Sequence, residues 1–485
     1  MEIALKVTAV AIALAVLFVG MFPDLSAGMV FFLLMDIPTA VFATFLMFGQ
    51  HLTNGQWGPS VWVDKICVSQ TDEEAKQQGI AGLPTVVACS SRLLVLWDGT
   101  YFERLWCNLE LSVFVKCSGV KNVRFLPLWL APWLLTMLCV TYLEQRLQAL
   151  AVTSNPYLGD DVVSPRETGV EDAGFGWHHL LVFQEYTQAS LVFYVLLAVA
   201  SVFTFQQKLD GHKLMLEHLK SYDIRTAKCS VESDRPVIEG LVAELFDGLD
   251  DPVVSVPFET DTSVAEAGHD LPVASLSLSP EDRLAIRSVT GYLNHEDCLA
   301  TFNDYMRGIV RESVLEDLGR ETDVSWSICV LSFLPTVLYC LGFSWACKSS
   351  YATLGFTSSS QMLMVVTVQY GIFGTIAMPA VHPLLLCLMD ALTARTEAGC
   401  FRVCLSLWLA LLVYSFVLAL FGLVAGALES WVITQQNIFL VVFFMGLFLP
   451  MLLSCLAFRR DWRMPHFSCR CLNRAPAASD YDALP

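Results

Sequence analysis

The sequence predicts a multi-span α-helical membrane protein of about eight crossings, with an inserted α/β domain and an acidic helical domain. Of its 485 residues, 55% are apolar and only 16% are charged, where ordinary soluble domains carry about 25% charged residues. The apolar residues gather in uninterrupted runs, each near the roughly 20 residues that cross a bilayer. The polar residues gather in two stretches, 60–124 and 206–325. The net charge is −18, and residues 206–323 hold 24 acidic against 11 basic side chains. A nucleic-acid binder needs a basic patch, so nucleic acid is excluded as a partner and the lipid bilayer is the first one expected.

Residues 1–50 read as two spans, 4–22 and 28–49. The first is alternatively a signal peptide cleaved near Asp24–Ala27. Its basic Lys6 is offset by Glu2, which favours an uncleaved helix. The second carries Asp36 and Pro38. An acid inside a span is a functional-site hypothesis by default; a kink or a helix interface is the plainer reading. Residues 125–205 read as two further spans, 125–142 and 188–205, around an acidic loop at 144–179. His178 and His179 sit beside Trp177 at a membrane edge.

Residues 206–325 read as an acidic helical domain. Ser233 to Pro236 opens one helix, with Pro near its first position. Residues 250–278 read as loop, and residues 279–282 as a helix start. Asn294 with Asp297 opens a last helix, which ends at Gly319. Residues 326–458 supply four spans, at 326–347, 362–392, 403–428 and 438–458. The second of these is interrupted by Pro379, His382 and Pro383 and closed by Asp390. Residues 459–485 form a basic, then disordered tail, in which Cys469 and Cys471 suit palmitoylation.

Sixteen cysteines are scattered through spans and apparent strands and helices. That placement predicts buried free thiols in a reducing compartment rather than a disulfide framework. No zinc spacing joins Cys67, Cys89 and Cys107, and no calcium loop surrounds Asp247, Asp250 and Asp251. No resident cofactor or metal is expected.

Eight spans put the amino terminus, both polar domains, the 393–402 loop and the tail on one side. That side holds Lys65, Lys76, Arg92, Arg104, Lys116, Lys121, Arg124, Arg395, Arg402 and five tail arginines. The other holds Arg146, Arg166 and Lys348. Basic residues near span ends mark the cytosolic side, so the polar domains are expected in the cytosol.

Within 60–124 the expected order is strand (61–64), helix from Asp72, strand (92–97, closed by Asp98 and Gly99) and helix (103–115). This is a parallel α/β unit. Residues 122–128 could add a strand, competing with the third span for the same residues.

The run VWVDKICVSQTDEEA resembles the fungal heterokaryon-incompatibility pattern. TYFERLWCNLEL resembles the W-C-x-x-E-L box of Toll/interleukin-receptor (TIR) domains, and RFLPLWL their following strand. The combination is similar to polytopic protist membrane proteins with a TIR-like cytosolic segment, over about 65 residues. Some TIR domains cleave NAD through the Glu of that box. The resemblance therefore implies Glu110 as catalytic residue, NAD as substrate rather than cofactor, and Asp64, Trp97 and Trp106 around the nucleotide. The first, central strand of the TIR fold has no counterpart before Val61, so the domain is expected to be incomplete. Two functions follow as expectations. One is a membrane-tethered signalling or interaction protein that binds a protein partner on its cytosolic domain. The other is a transporter or channel regulated by its cytosolic domains.

Overall fold

A computed structural model describes residues 2–22, 24–53, 55, 60–63, 67, 71–153, 176–181, 184, 190–247, 294–346, 348–351, 355–396 and 399–458. It is mostly helical, with one two-stranded sheet. The tail, with Cys469 and Cys471, lies outside the described residues, as do most of the 144–179 loop, the 250–278 loop and the 279–282 helix start.

The chain opens with α1 (Glu2–Met21), α2 (Ala27–Phe31), a π turn (Phe32–Asp36) and α3 (Ile37–Leu52). The π turn ends two residues before Pro38, which has no N–H to continue the helical ladder. Then α4 (Glu73–Cys89) begins where Asp72 Oδ1 accepts from the Ala75 amide at 3.2 Å, an N-cap bond. Next come β1 (Leu93–Trp97), α5 (Leu105–Ser118) and β2 (Val123–Pro127). Gly119 ends α5 at φ 78, a conformation that favours glycine.

The strands pair in parallel, from Leu93 opposite Val123 to Trp97 opposite Pro127, with α5 as the crossover. Val95, Trp97, Val123 and Phe125 turn inward to a common core, whereas Leu94, Leu96 and Leu126 turn out. The strand expected at 61–64 does not form over its described part. Residues 61–63 have no regular structure, and Trp62 packs half-buried on the core. Strand propensity at Val-Trp-Val yields because a strand needs a partner to pair with.

The third span also differs from its expected 125–142. Its first residues belong to β2, and helix α6 runs over Leu130–Thr153. Pairing with β1 removes Val123–Pro127 from any helix. The helix then runs on through Thr141, Glu144, Gln145 and Gln148, because their side chains are buried among other helices.

A 3-10 turn (Ser190–Tyr194) leads into α7 (Val195–Lys220). It is followed by α8 (Arg235–Leu245), α9 (His295–Tyr305), a π turn (Met306–Val310) and α10 (Arg311–Asp317). Asn294 caps α9 by accepting from the Asp297 amide at 2.9 Å, and Gly319 at φ 82 follows the end of α10. The remaining helices are α11 (Trp326–Ser332), α12 (Leu334–Ala346), α13 (Ser359–Ile372), α14 (Val381–Thr393), α15 (Cys400–Thr434) and α16 (Asn437–Ala457). Helices α11 and α12 bend by 54° beside Pro335, whose ring opposes the carbonyl one turn back.

Six helices among the described residues are long and apolar enough to cross a membrane, and a bent pair makes up to seven. They are Ile3–Met21, Ala27–Leu52, Ser190–Lys220, Ser359–Thr393, Cys400–Thr434 and Asn437–Ala457, with α11 and α12 as the pair. Helix α6 is not among them. The described cysteines are all free, and Cys298, Cys329 and Cys340 are buried. Burial does not extend to Cys67, Cys89, Cys139, Cys387, Cys400, Cys404 or Cys455, which are exposed; those on spans lie on outward faces that packing does not reach.

The two polar stretches share one core. Leu83, Val95, Phe102, Leu109 and Phe125 belong to the same buried cluster as Tyr222, Val242, Phe302 and Val314. An aromatic chain joins them: Phe102 to Tyr222 (6.2 Å), Tyr222 to Phe302 (5.8 Å) and Phe302 to Phe246 (4.9 Å). Helix α7 enters two cores. Its residues from Leu197 to Leu209 pack in the bundle, while Met215 and Leu219 pack in the polar unit.

Candidate functional site

In the polar unit, Glu110 lies half-buried on α5. Its neighbours follow from helical spacing, which puts Cys107 one turn before it. Tyr101, just ahead of α5, directs its hydroxyl at the Cys107 carbonyl at 3.5 Å. Burial pushes the Tyr101 phenol well up, and the nearby Cys107 and Glu110 act in the same direction. Trp106, one helical turn before Glu110, is half-buried against the core. Trp97 is only 3% exposed, and its Nε1 has no hydrogen-bond partner among the described residues. It stands inside the core rather than at a surface. Asp64 lies outside the described residues. Glu110, Trp97 and Trp106 thus belong to one folded unit, with Trp97 inside it and the other two at its margin.

Ion pairs fasten the unit's rim. Lys228 lies 2.6 Å from Glu103 and lowers that carboxyl through a hydrogen bond and its charge. The Lys228 carbonyl accepts from the Leu105 amide at 3.0 Å. Arg124 on β2 meets Asp317 on α10 at 2.9 Å.

Burial also raises the Tyr222 phenol well above its ordinary value. For both tyrosines the sign is the same. The folded state keeps the neutral phenol, while the unfolded chain ionises near pH 10. Stability is full below that pH and falls as pH rises above it, by about 1.4 kcal/mol per pH unit for each phenol. Phenolate absorbance and loss of far-ultraviolet circular dichroism should therefore rise together above about pH 10. Tyr222→Phe should move the midpoint upward, helped by the removal of a hydroxyl without a partner. Phenolate appearing while helicity is intact would refute this.

The bundle holds polar groups at four levels. At the end towards the polar unit, Lys208 on α7 is 2% exposed and donates to the carbonyls of Glu321 and Asp323, the latter at 2.9 Å. His212 Nε2 lies 3.1 Å from the Gly319 carbonyl, and Lys213 pairs with Asp390 on α14. These contacts strap the 319–323 turn to α7. One level further in, His382 is fully buried between aromatic rings. Its ring stacks on Phe333 at 4.7 Å and meets Trp133 and Phe205 edge-on, each at 5.4 Å. Beyond it, Glu144 on α6 accepts from the Leu197 amide at 2.7 Å, at the first turn of α7. Asp36 lies nearby, held by Arg146 at 3.3 Å and the Tyr142 hydroxyl at 3.0 Å, both on α6.

At the other end, Glu429 on α15 is 7% exposed. It accepts from Gln369 Nε2 at 2.9 Å and lies 2.8 Å from His179 Nε2. Fifteen helical residues separate Tyr414, at the Glu144 level, from Glu429, or about 22 Å along α15. Asp36, His382 and Asp390 are legible as intramembrane polar residues from sequence. Glu144, Glu429 and Lys208 are not, because hydropathy puts them at or just past span ends, and Gln369 is an uncharged amide inside the 362–392 run. For Glu429 the signal is a lone acid beside small residues, in Ala425-Gly-Ala-Leu-Glu429.

A groove of about 310 Å³ lies between α15 and α16, lined by Leu420, Leu423, Val441, Met445 and Leu449. It is apolar and distant in sequence from Glu110. Among the described residues no group of three or more His, Cys, Asp or Glu side chains is arranged to hold a metal ion. Comparison with protein-family models, with curated proteins and with solved structures finds no match in any of the three.

Proposed function

We propose that the chain is an integral membrane protein with eight crossings, whose cytosolic unit is a TIR-like interaction and signalling module fixed to the bundle through α7. The eighth crossing in this reading is α6. It runs antiparallel to α7, with Trp133 against Phe205 (6.1 Å) and Glu144 against Leu197. Its polar side chains face other helices, so its modest hydropathy does not keep it from lipid. More basic residues lie on the polar unit's side of the spans than on the other, which supports a cytosolic side for it.

One observation carries the interaction reading. Parallel sheets are normally covered on both faces, yet Leu94, Leu96 and Leu126 are 55%, 49% and 37% exposed. Such a face suits a partner protein's apolar surface. A photo-crosslinking residue at Leu96 in native membranes should give one discrete adduct with another protein, abolished by Leu126→Glu in a chain with unaltered helicity. Crosslinks confined to this chain or to lipid would reject the reading.

NAD cleavage through Glu110 is the enzymatic form of the same reading. A carboxylate there would stabilise positive charge on the ribose as nicotinamide leaves. Nicotinamide release by the full chain at a rate unchanged by Glu110→Ala rules that form out.

The second reading is transport, favoured by ionisable groups at several levels of one bundle. It requires flux in reconstituted vesicles that Glu429→Gln or His382→Ala alters.

A further inference from the structure

Glu144 is fully buried, and no cation faces it among the described residues. Its Oε1 accepts from the Leu197 amide, and its Oε2 has no hydrogen-bond partner there. Tyr194 and Tyr414 lie within electrostatic reach. Their rings stack at 5.8 Å, and the Tyr414 hydroxyl is 3.0 Å from Ser201 Oγ. Gln145, next to Glu144, is also buried, and neither polar atom of its side chain has a hydrogen-bond partner among the described residues. Glu144, Gln145, Ser201 and Tyr414 are each 0% exposed, and Tyr194 is 3% exposed.

The other ionisable groups around the site are Cys340 of α12, Tyr142 and the Asp36–Arg146 pair. Arg146 is two residues from Glu144, about 200° around the helix, and its charge is engaged by Asp36. The start of α7 offers Glu144 only a partial positive charge. An uncompensated carboxylate in an apolar layer is unfavourable. What completes the site is therefore one positive charge small enough to sit on a single carboxylate oxygen.

We propose that Glu144 is a proton-binding site of the bundle, its Oε1 held by the Leu197 amide and its Oε2 left to carry the proton. A proton from water bonds to a lone pair of Oε2; on release that pair stays on oxygen and the proton returns to water. Nothing is oxidised or reduced. The site lies at the junction where the 3-10 turn becomes α7, so proton uptake acts on the helix that continues into the polar unit. The inference rests on the membrane reading and is independent of the exposed sheet face.

Infrared difference spectroscopy of the full chain in lipid nanodiscs tests it. The expected result is a protonated-carboxyl band at neutral pH that is lost in Glu144→Gln. Tyr414→Phe, which keeps the acid and removes one neighbour, should shift that band. If Glu144→Gln does not fold, the Tyr414→Phe shift alone decides, and an unshifted band overturns the proposal. A Glu144 that stays ionised, giving no band that Glu144→Gln removes, also overturns it and leaves the carboxylate as a tie to α7. A carboxylate signal and thermal stability that depend on sodium when choline replaces it would assign the site to a metal cation, against the proposal.

Discussion

Phe302→Ala should unfold the polar unit as a whole, not the acidic helices alone. Phe302 is fully buried and packs against Tyr222 and Phe246. Truncating a buried phenylalanine costs about 3–5 kcal/mol, from lost transfer energy and the cavity left behind. That is a large fraction of the stability of most domains. Because Phe102 joins the same aromatic chain through Tyr222, the loss should reach β1 and α5. Hydrogen exchange on the full chain in detergent should speed up in residues 93–118 and 235–245 alike. Faster exchange confined to residues 235–317 would mean that the two polar stretches are separate folding units. The bundle core around Tyr414 has its own buried cluster and should keep its protection.

Arg146→Met should be the most damaging single change in the bundle that leaves its apolar packing in place. It leaves Asp36 with the Tyr142 hydroxyl as its one remaining described partner. Removing one member of a buried ion pair strands the other's charge, at about 3–5 kcal/mol; partial exposure of Arg146 puts the expectation near 2–3 kcal/mol. Adding Asp36→Asn removes the stranded charge, so the double variant should be more stable than Arg146→Met alone. Thermal unfolding in detergent across the four proteins of the cycle gives the coupling. Additive effects would mean that the pair contributes nothing.

Several local structures are legible in the sequence because their causes are local. Asn294 caps its helix, Gly319 follows α10 in a left-handed turn, and Asp72 opens α4. The strand at 93–97 stops before Asp98 and Gly99. The competition between strand and span at 122–128 was also visible, but not its outcome. Phe125 suits either state, and only the Val95–Phe125 pairing selects the strand.

The candidate sites were less legible. Glu110 is found by motif, but the depth of Trp97 depends on which face of β1 meets the core. Glu144 reads as the first residue of a loop, since the polar run Glu144-Gln-Arg-Leu-Gln148 follows an apolar one. Burial by α7, α12 and α15 makes that run interior, and no local rule predicts it. Glu429 is hidden in the same way at the end of a long apolar helix.

Composition and apolar run length alone fix a bundle of long helices, because a span needs only enough consecutive apolar residues. They also fix the positions of helix caps and turns, which depend on neighbours a few residues away. Tertiary structure alone decides that the described residues of 60–127 and 206–317 form one core, and that α7 belongs to both cores. It alone brings Asp36 to Arg146, and Glu144 to Tyr194 and Tyr414. Those pairings join residues far apart in the chain, and their energy exists only once the helices between them are packed.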